Sequence, residues 1–297
     1  MSDLQNGDRN AASGTEGTAG EPLPGPDDQS ISALTDAQRS DVTEHRRLSA
    51  LTVYSIILNE GEEELSRPVR SLVWSGIAAG ICICASLLAE GLLHSKLGDH
   101  PYRGLIENMG YTVGFILVIL SRLQLFTENT IAVVLPVLYH RTGRALWRAA
   151  RLWGVVLAAN LLGVAVTMTM ALWPGTVDVT TVEGMTAVSR DYASLSGLEP
   201  LWRAIPAGFF VATIVWMLPS AKGFEIFVIF VFTYLLAVGH FPHIVAGFSE
   251  VFLLLLVGEL ELGRAVFGLV IPTLVGNIIG GTGLFALLAH AQVQQEM

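Results

Sequence analysis

The chain has 297 residues, of which 52% are hydrophobic and only 14% charged; an ordinary soluble domain carries about 25% charged residues. That balance excludes general disorder and argues against a soluble globule. The formal net charge of −9 belongs to residues 1–66, which hold thirteen Asp/Glu and four Lys/Arg, while residues 67–297 hold thirteen of each, so a basic nucleic-acid-binding protein is excluded too.

Residues 1–30 are rich in Gly, Ser, Pro, Asp and Glu and nearly free of large apolar side chains. They read as a disordered acidic tail, because they cannot bury enough surface to offset ordering entropy. No basic stretch leads into an apolar core there, so the tail is not a signal peptide. Residues 31–68 read as a cytoplasmic amphipathic segment of one or two helices. Their apolar residues Leu51, Val53, Tyr54, Ile56, Ile57 and Leu58 are followed by the acidic Glu60–Glu64 cluster and Arg67-Pro68. Such a segment is expected to lie outside the hydrocarbon, on the membrane face or a neighbouring subunit.

From residue 69 the pattern changes to long apolar blocks, and a spanning helix needs about 20 mostly apolar residues. The blocks are 72–93, with Glu90 near one end, 104–138, interrupted at Ser121–Gln124, 149–173, 201–218, 224–257, interrupted at Gly239–His243, and 265–289. They predict an all-α membrane domain over 69–290 with six transmembrane helices, the second and fifth broken, and a short C-terminal tail, 291–297. Cys82 and Cys84 lie two apart in an apolar run and read as small buried residues. The densest basic loop carries Arg141, Arg144, Arg148 and Arg151. The positive-inside rule places it in the cytoplasm and, with six spans, both termini too. The loop 174–200 then falls outside.

Two strings repeat at a separation of 117 residues: Ala159-Asn160-Leu161-Leu162-Gly163 and Gly276-Asn277-Ile278-Ile279-Gly280. The same shift carries the first break onto the second and Phe126 onto His243. Three spans per half is an odd number, so the second half is inserted upside down. Paired interrupted helices in inverted repeats point to a solute site near the midplane, because unpaired backbone is tolerated at membrane depth only where protein or a water-filled cavity satisfies it. Half-helix N-termini aim partial positive charge at such a path.

The residues at the breaks carry the chemistry. His243 is an ionisable residue at membrane depth, which marks function by default, against a structural role bonded to backbone. His240 reads as a vestibule residue, and no ligand set for a metal accompanies the pair. Leu125 and Phe126 read as an apolar plug or as helix packing. Thr127 offers a hydroxyl to a solute or caps the second half-helix. Arg122 either pairs with Glu128 or Glu250 to fix the broken helices or attracts an anion. Asn160 and Asn277 either glue helices together or hold the broken segments by hydrogen bonds. No Gly-rich phosphate loop or nucleophile–base signature points to an enzyme.

Leu125-Phe126-Thr127-Glu128-Asn129-Thr130, His243-Ile244-Val245-Ala246-Gly247 and Gly276-Asn277-Ile278-Ile279-Gly280-Gly281 resemble, in order, three motifs of the formate/nitrite transporter family. The resemblance covers about residues 68–290. It implies an aquaporin-like protomer with its own pore, assembled as a homopentamer in the bacterial inner membrane, that passes small monovalent anions such as formate or nitrite without a cofactor. It also implies a constriction lined by Leu125, Phe126, Thr127 and His243, with a second apolar residue near Leu236. The sequence departs from the family pattern at Pro242, where the family has Glu, and at Gly247, where it has Asn. Glu128 replaces a small polar residue, and no Lys stands near Ser196. These departures keep two other readings open: a neutral-solute or water pore, and a membrane scaffold with a vestigial pore.

Overall fold

A computed structural model describes residues 47–296. The expected tail 1–30 and the adjoining part of the amphipathic segment, through residue 46, lie outside the described residues. The described chain is built of helices and their connections: α1 (Ala50–Ser66), α2 (Val69–Leu97), α3 (Arg103–Leu120), α4 (Asn129–His140), α5 (Gly143–Ala171), α6 (Val179–Ala193), α7 (Glu199–Ser220), α8 (Glu225–Val238), α9 (Ile244–Leu256) and α10 (Arg264–Val293). Five of these, α2, α3, α5, α7 and α10, are long and apolar enough to cross a membrane, while α4, α8 and α9 are shorter apolar helices. The interruptions fall between α3 and α4 and between α8 and α9, where the sequence breaks its apolar blocks. α10 runs to Val293, past the expected boundary at 290, and turns with π-type winding at Arg264–Val270 and Ile279–Ala286.

α1 begins at Ser49, whose hydroxyl accepts from the Thr52 amide at 3.1 Å, a serine N-cap. Its buried face is Val53, Tyr54, Ile57, Gly61 and Leu65. This face does not wait for a membrane or a second subunit, as the sequence suggested. It packs on the end of its own bundle, where the Tyr54 hydroxyl meets His290 Nδ1 at 2.8 Å and Gly61 lies against the Ala132 carbonyl.

The stretch expected as an outside loop, 174–200, contains α6. Asp178 caps it, accepting from the Thr181 amide at 3.0 Å. Hydrogen bonds from Thr180 and Thr181 pull the Asp178 carboxyl down to about 2, so the cap stays charged in mild acid. α6 buries Thr181, Gly184, Met185 and Ser189 against α2 and α9. Its one-face apolar pattern is short and weak beside the spanning blocks, which is why it reads as loop.

The two halves, α2–α5 and α7–α10, are built alike down to single contacts. A Cβ on Gly80 would strike the Asn160 carbonyl, and one on Gly208 the Asn277 carbonyl. Gly163 sits on Ile77 O and Gly280 on Ile205 O. Where Gly76 faces Ala159 in the first half, Ala204 faces Gly276 in the second, so the small residue changes sides while the close approach persists. Small residues let membrane helices touch backbone to backbone, and here the closest approaches bring α2 onto α5 and α7 onto α10 beside each Asn.

Gly80→Ala and Gly208→Ala each overpack one of these crossings and should cost about 1–3 kcal/mol, seen as a lower thermal midpoint in detergent. Gly154→Ala, in α5 with nothing within 4 Å of the new methyl, should leave it unchanged or raise it, since Gly in a helix costs roughly 0.5–1 kcal/mol relative to Ala.

Candidate functional site

The two breaks are pinned by one side chain each. Asn160 Oδ1 accepts from the Phe126 amide at 2.9 Å, and its Nδ2 donates to the carbonyls of Gly76 at 2.9 Å and Gln124 at 2.8 Å. Asn277 repeats the pattern: Oδ1 accepts from the Ile244 amide at 2.8 Å, and Nδ2 donates to Ala204 O at 2.8 Å and Pro242 O at 3.1 Å. Both are fully buried. Primary amides offer both donors and an acceptor, so each Asn satisfies an amide and a carbonyl that the helix interruption leaves free and ties them to the neighbouring helix.

These bonds correct the register read from the sequence. They pair Gln124 with Pro242 and Phe126 with Ile244, so the counterpart of His243 is Leu125 rather than Phe126. One extra residue separates the first break from its Asn, and a single shift of 117 misses it.

The bonds also bring the two breaks together. Thr127 Oγ1 and His243 Nε2 lie 2.6 Å apart, and both residues are fully buried. His243 Nδ1 accepts from the Ala246 amide at 3.2 Å and so caps α9. An amide N–H can only donate, so Nδ1 carries no proton, and in the neutral ring Nε2–H donates to Thr127. The Thr127 hydroxyl keeps its own proton free to donate elsewhere. It is therefore not the cap of the second half-helix: α4 starts at Asn129, and Thr127 spends its oxygen on His243 instead. The Phe115 ring stands edge-on to His243 at 4.9 Å between centroids, and Phe126 stands edge-on to Trp153 at 5.7 Å.

A cavity lies on each side of this pair. One, of about 690 Å³, is lined by Glu90, Tyr111, Leu236, His240, Pro242 and Glu250, among others. The other, of about 660 Å³, is lined by Glu60, Arg122, Gln124, Leu125, Glu128 and Lys222, among others. The first touches the beginning of α7 and the end of α8, the second the end of α7 and the beginning of α8. The cavities thus open at opposite ends of the bundle, and only the second borders α1. Leu236 and Leu125, both fully buried, stand where the two vestibules approach Thr127 and His243.

Arg122 departs from its expected roles in fixing the breaks. It pairs with neither Glu128 nor Glu250. Its backbone turns left-handed at the end of α3 (φ 52°). Its side chain is 81% exposed, and its guanidinium meets Glu60 of α1 at 3.2 Å, a partner 62 residues earlier that spacing within the break could not disclose. Glu128 lines the same vestibule with its Oε1 buried and unpartnered among the described residues. His240 lines the opposite vestibule, also with a left-handed backbone (φ 49°). Cys84 is buried, while Cys82 is only half-buried.

The sequence model for the formate/nitrite transporter matches residues 51–291. The chain belongs to the formate/nitrite transporter family. It is 40% identical over 248 residues to the inner membrane protein YfdC of Escherichia coli (strain K12), covering 84% of this chain and 80% of that one. It is 25% identical over 224 residues to a formate-nitrite transporter of Plasmodium malariae, covering 70% and 71%. A pentameric formate channel with formate bound has the same fold, with a TM-score of 0.64 at 20% identity over 76% of this chain and 98% of that one. An FNT family ion channel gives 0.68 at 16% over 82% and 98%. The protein is thus an all-α membrane protein of an anion channel and transporter family, not an enzyme.

Within this formate/nitrite transporter relative, one departure has a structural reason. Pro242 accepts from Asn277 through its backbone carbonyl, which Pro or Glu would supply alike. A side chain at Gly247, in place of Asn, would meet the Tyr192 ring, whose Cε1 lies 2.8 Å from the would-be Cβ. Sequence reasoning missed Phe115, Trp153 and Tyr192, aromatic residues among many in apolar runs. It noted Glu90 only as a charge near a span end, and that charge was the available signal.

Replacing Asn160 or Asn277 by Ala leaves one amide and one carbonyl unpaired at a buried break and removes a bond to the neighbouring helix. Each stranded group costs about 1–3 kcal/mol, so either variant should lose about 2 kcal/mol or more and show a lowered midpoint in detergent melting.

Proposed function

We propose that this protein carries small monovalent weak-acid anions, formate or nitrite in class, across a bacterial inner membrane as a homopentamer with one path per protomer. The observation that carries this reading is the Thr127–His243 pair, 2.6 Å apart and fully buried, between two vestibules at opposite ends of the bundle. The pentameric formate channel and the E. coli inner membrane relative support the assembly and the membrane. In this reading the interrupted pair α8–α9 makes one crossing, which completes six. The constriction is Leu125, Phe126 and Thr127 on one break, His243 on the other, and Leu236.

Half-helices α4 and α9 start at the breaks, so their N-terminal amides present partial positive charge there. His243 holds the Thr127 oxygen from Nε2, which orients the hydroxyl proton toward a passing oxygen atom. Between apolar walls a bare anion loses its hydration, and desolvation favours the neutral acid. Passage is therefore proton-coupled, and the species that crosses between His243 and Thr127 carries no net charge. A water or neutral-solute pore would not need this donor pair.

The α1 end faces the cytoplasm. The basic residues Arg141–Arg151 sit at that end: Arg148 donates to Leu65 O at 2.9 Å and His140 meets Glu62 at 2.8 Å. The C-terminal turns of α10 are there as well, at Tyr54. A single cysteine at exposed Val179 should label from the periplasm and one at Gly143 from the cytoplasm, in a background without Cys82 and Cys84. The reverse pattern would invert this orientation.

Uptake of labelled formate into proteoliposomes tests the function. Wild-type protein should show acid-stimulated uptake that Thr127→Val abolishes and Thr127→Ser retains. His243→Asn should assemble normally but lose about tenfold or more of the proton-coupled rate. Wild-type rate and pH profile in His243→Asn would leave the histidine only a structural cap of α9.

A further inference from the structure

The vestibule remote from α1 is acidic, although its solute is an anion. Among the carboxylates that line it, three are paired or open to water. Glu107 from α3 is held by His94 at 2.9 Å. Glu199 at the start of α7 is held by Arg203 at 2.8 Å. From α6, Asp191 is exposed to solvent and the Tyr192 hydroxyl bonds Thr273 at 2.7 Å. Tyr102, Tyr111 of α3 and His240 of the second break complete the titratable surroundings.

Two carboxylates are left without a counter-charge. Glu90 of α2 is only 3% exposed, lines the cavity, and has no hydrogen-bond partner among the described residues. Gly110 brings α3 onto it: a Cβ there would lie 2.6 Å from the Glu90 amide nitrogen. Glu250 of α9 lines the same cavity as Glu90 and stands two helical turns after His243. Two unpaired carboxylates in one cavity at membrane depth repel each other when both are charged, which favours a proton on one of them. The described residues bring together no cluster of three His, Cys, Asp or Glu side chains for a metal ion.

We propose that Glu90 and Glu250 are the proton-loading site of this transporter, which protonates the weak-acid anion in the vestibule before it reaches the constriction. The inference rests on the transport reading above. The step is a simple proton transfer: the carboxylic O–H of the pair breaks, a new O–H forms on the anion's oxygen, and the neutral acid moves past Leu236 to Thr127. The pair, now doubly charged, takes its next proton from water in the vestibule. It also repels unprotonated anions, so flux depends on protonation. The donor must be sought outside the constriction because His243 is engaged on both nitrogens: Nδ1 accepts from Ala246 and Nε2 faces Thr127. A neutral imidazole that gave up its Nε2 proton would become an imidazolate.

Glu90→Gln, Glu250→Gln and the double variant keep volume and polarity and remove the titrating proton. In proteoliposomes of verified pentamer content, the double variant should lose about tenfold or more of acid-stimulated formate uptake and flatten its pH profile. In wild-type protein, an infrared difference spectrum between formate-bound and formate-free states should show a carboxylic C=O band lost on binding, absent from the double variant. A double variant that transports faster at every pH would show that the carboxylates only repel anions, and would overturn the proposal. So would an unchanged pH profile or an unchanged C=O band. Wild-type protein that takes up no formate at any pH would instead overturn the transport reading itself.

Discussion

Two asparagine side chains hold this fold in its working form. A helix interrupted at membrane depth leaves amides and carbonyls without partners, and hydrocarbon offers none. Asn160 and Asn277 each return three hydrogen bonds to a break and to the helix beside it. The glycines around them, Gly80 with Gly163 and Gly208 with Gly280, bring the helix backbones close enough for those bonds to form. The contact between the two breaks is a consequence. Once Phe126 and Ile244 are pinned, their neighbours Thr127 and His243 are left facing one another at the centre. The histidine then takes its tautomer from the Ala246 amide it caps.

The charge distribution fits the proposal that the crossing species is neutral. Both vestibules carry more acid than base among their lining residues, and the bases are largely spent: Arg67 on Glu64, Arg122 on Glu60, Arg203 on Glu199. Such walls do not concentrate anions. They do concentrate protons, and a weak acid converts that into a gradient of its neutral form. An anion path without a vestibule lysine near Ser196 is therefore coherent, provided protonation precedes passage.

The sequence carried most of the architecture and part of the site. The broken blocks, the Asn repeat and the three motifs are local patterns, and they led to the family, the all-α membrane fold and the residues at both breaks. What escaped depends on distance through space. Arg122 looked like a partner for Glu128 because both lie in one break, yet α1 supplies Glu60 from far upstream. Thr127 looked like a cap because a helix comes after it, yet the other half of the chain supplies His243. The one-residue slip between the repeats is invisible until the hydrogen bonds of Asn160 and Asn277 are compared. Helix α6 is too short and too polar on one face to stand out beside the spanning blocks, and its burial depends on Gly91 and Gly184 meeting across the α2 contact.

The most direct test of electroneutral passage is to measure formate and proton uptake together while the membrane potential is set independently with potassium and valinomycin. If neutral acid crosses the Thr127–His243 constriction, lumen acidification will track formate uptake one for one, and an imposed potential of either sign will leave the rate unchanged. Uptake that accelerates with an inside-positive potential and moves no protons would mean that the bare anion crosses, and would contradict the account.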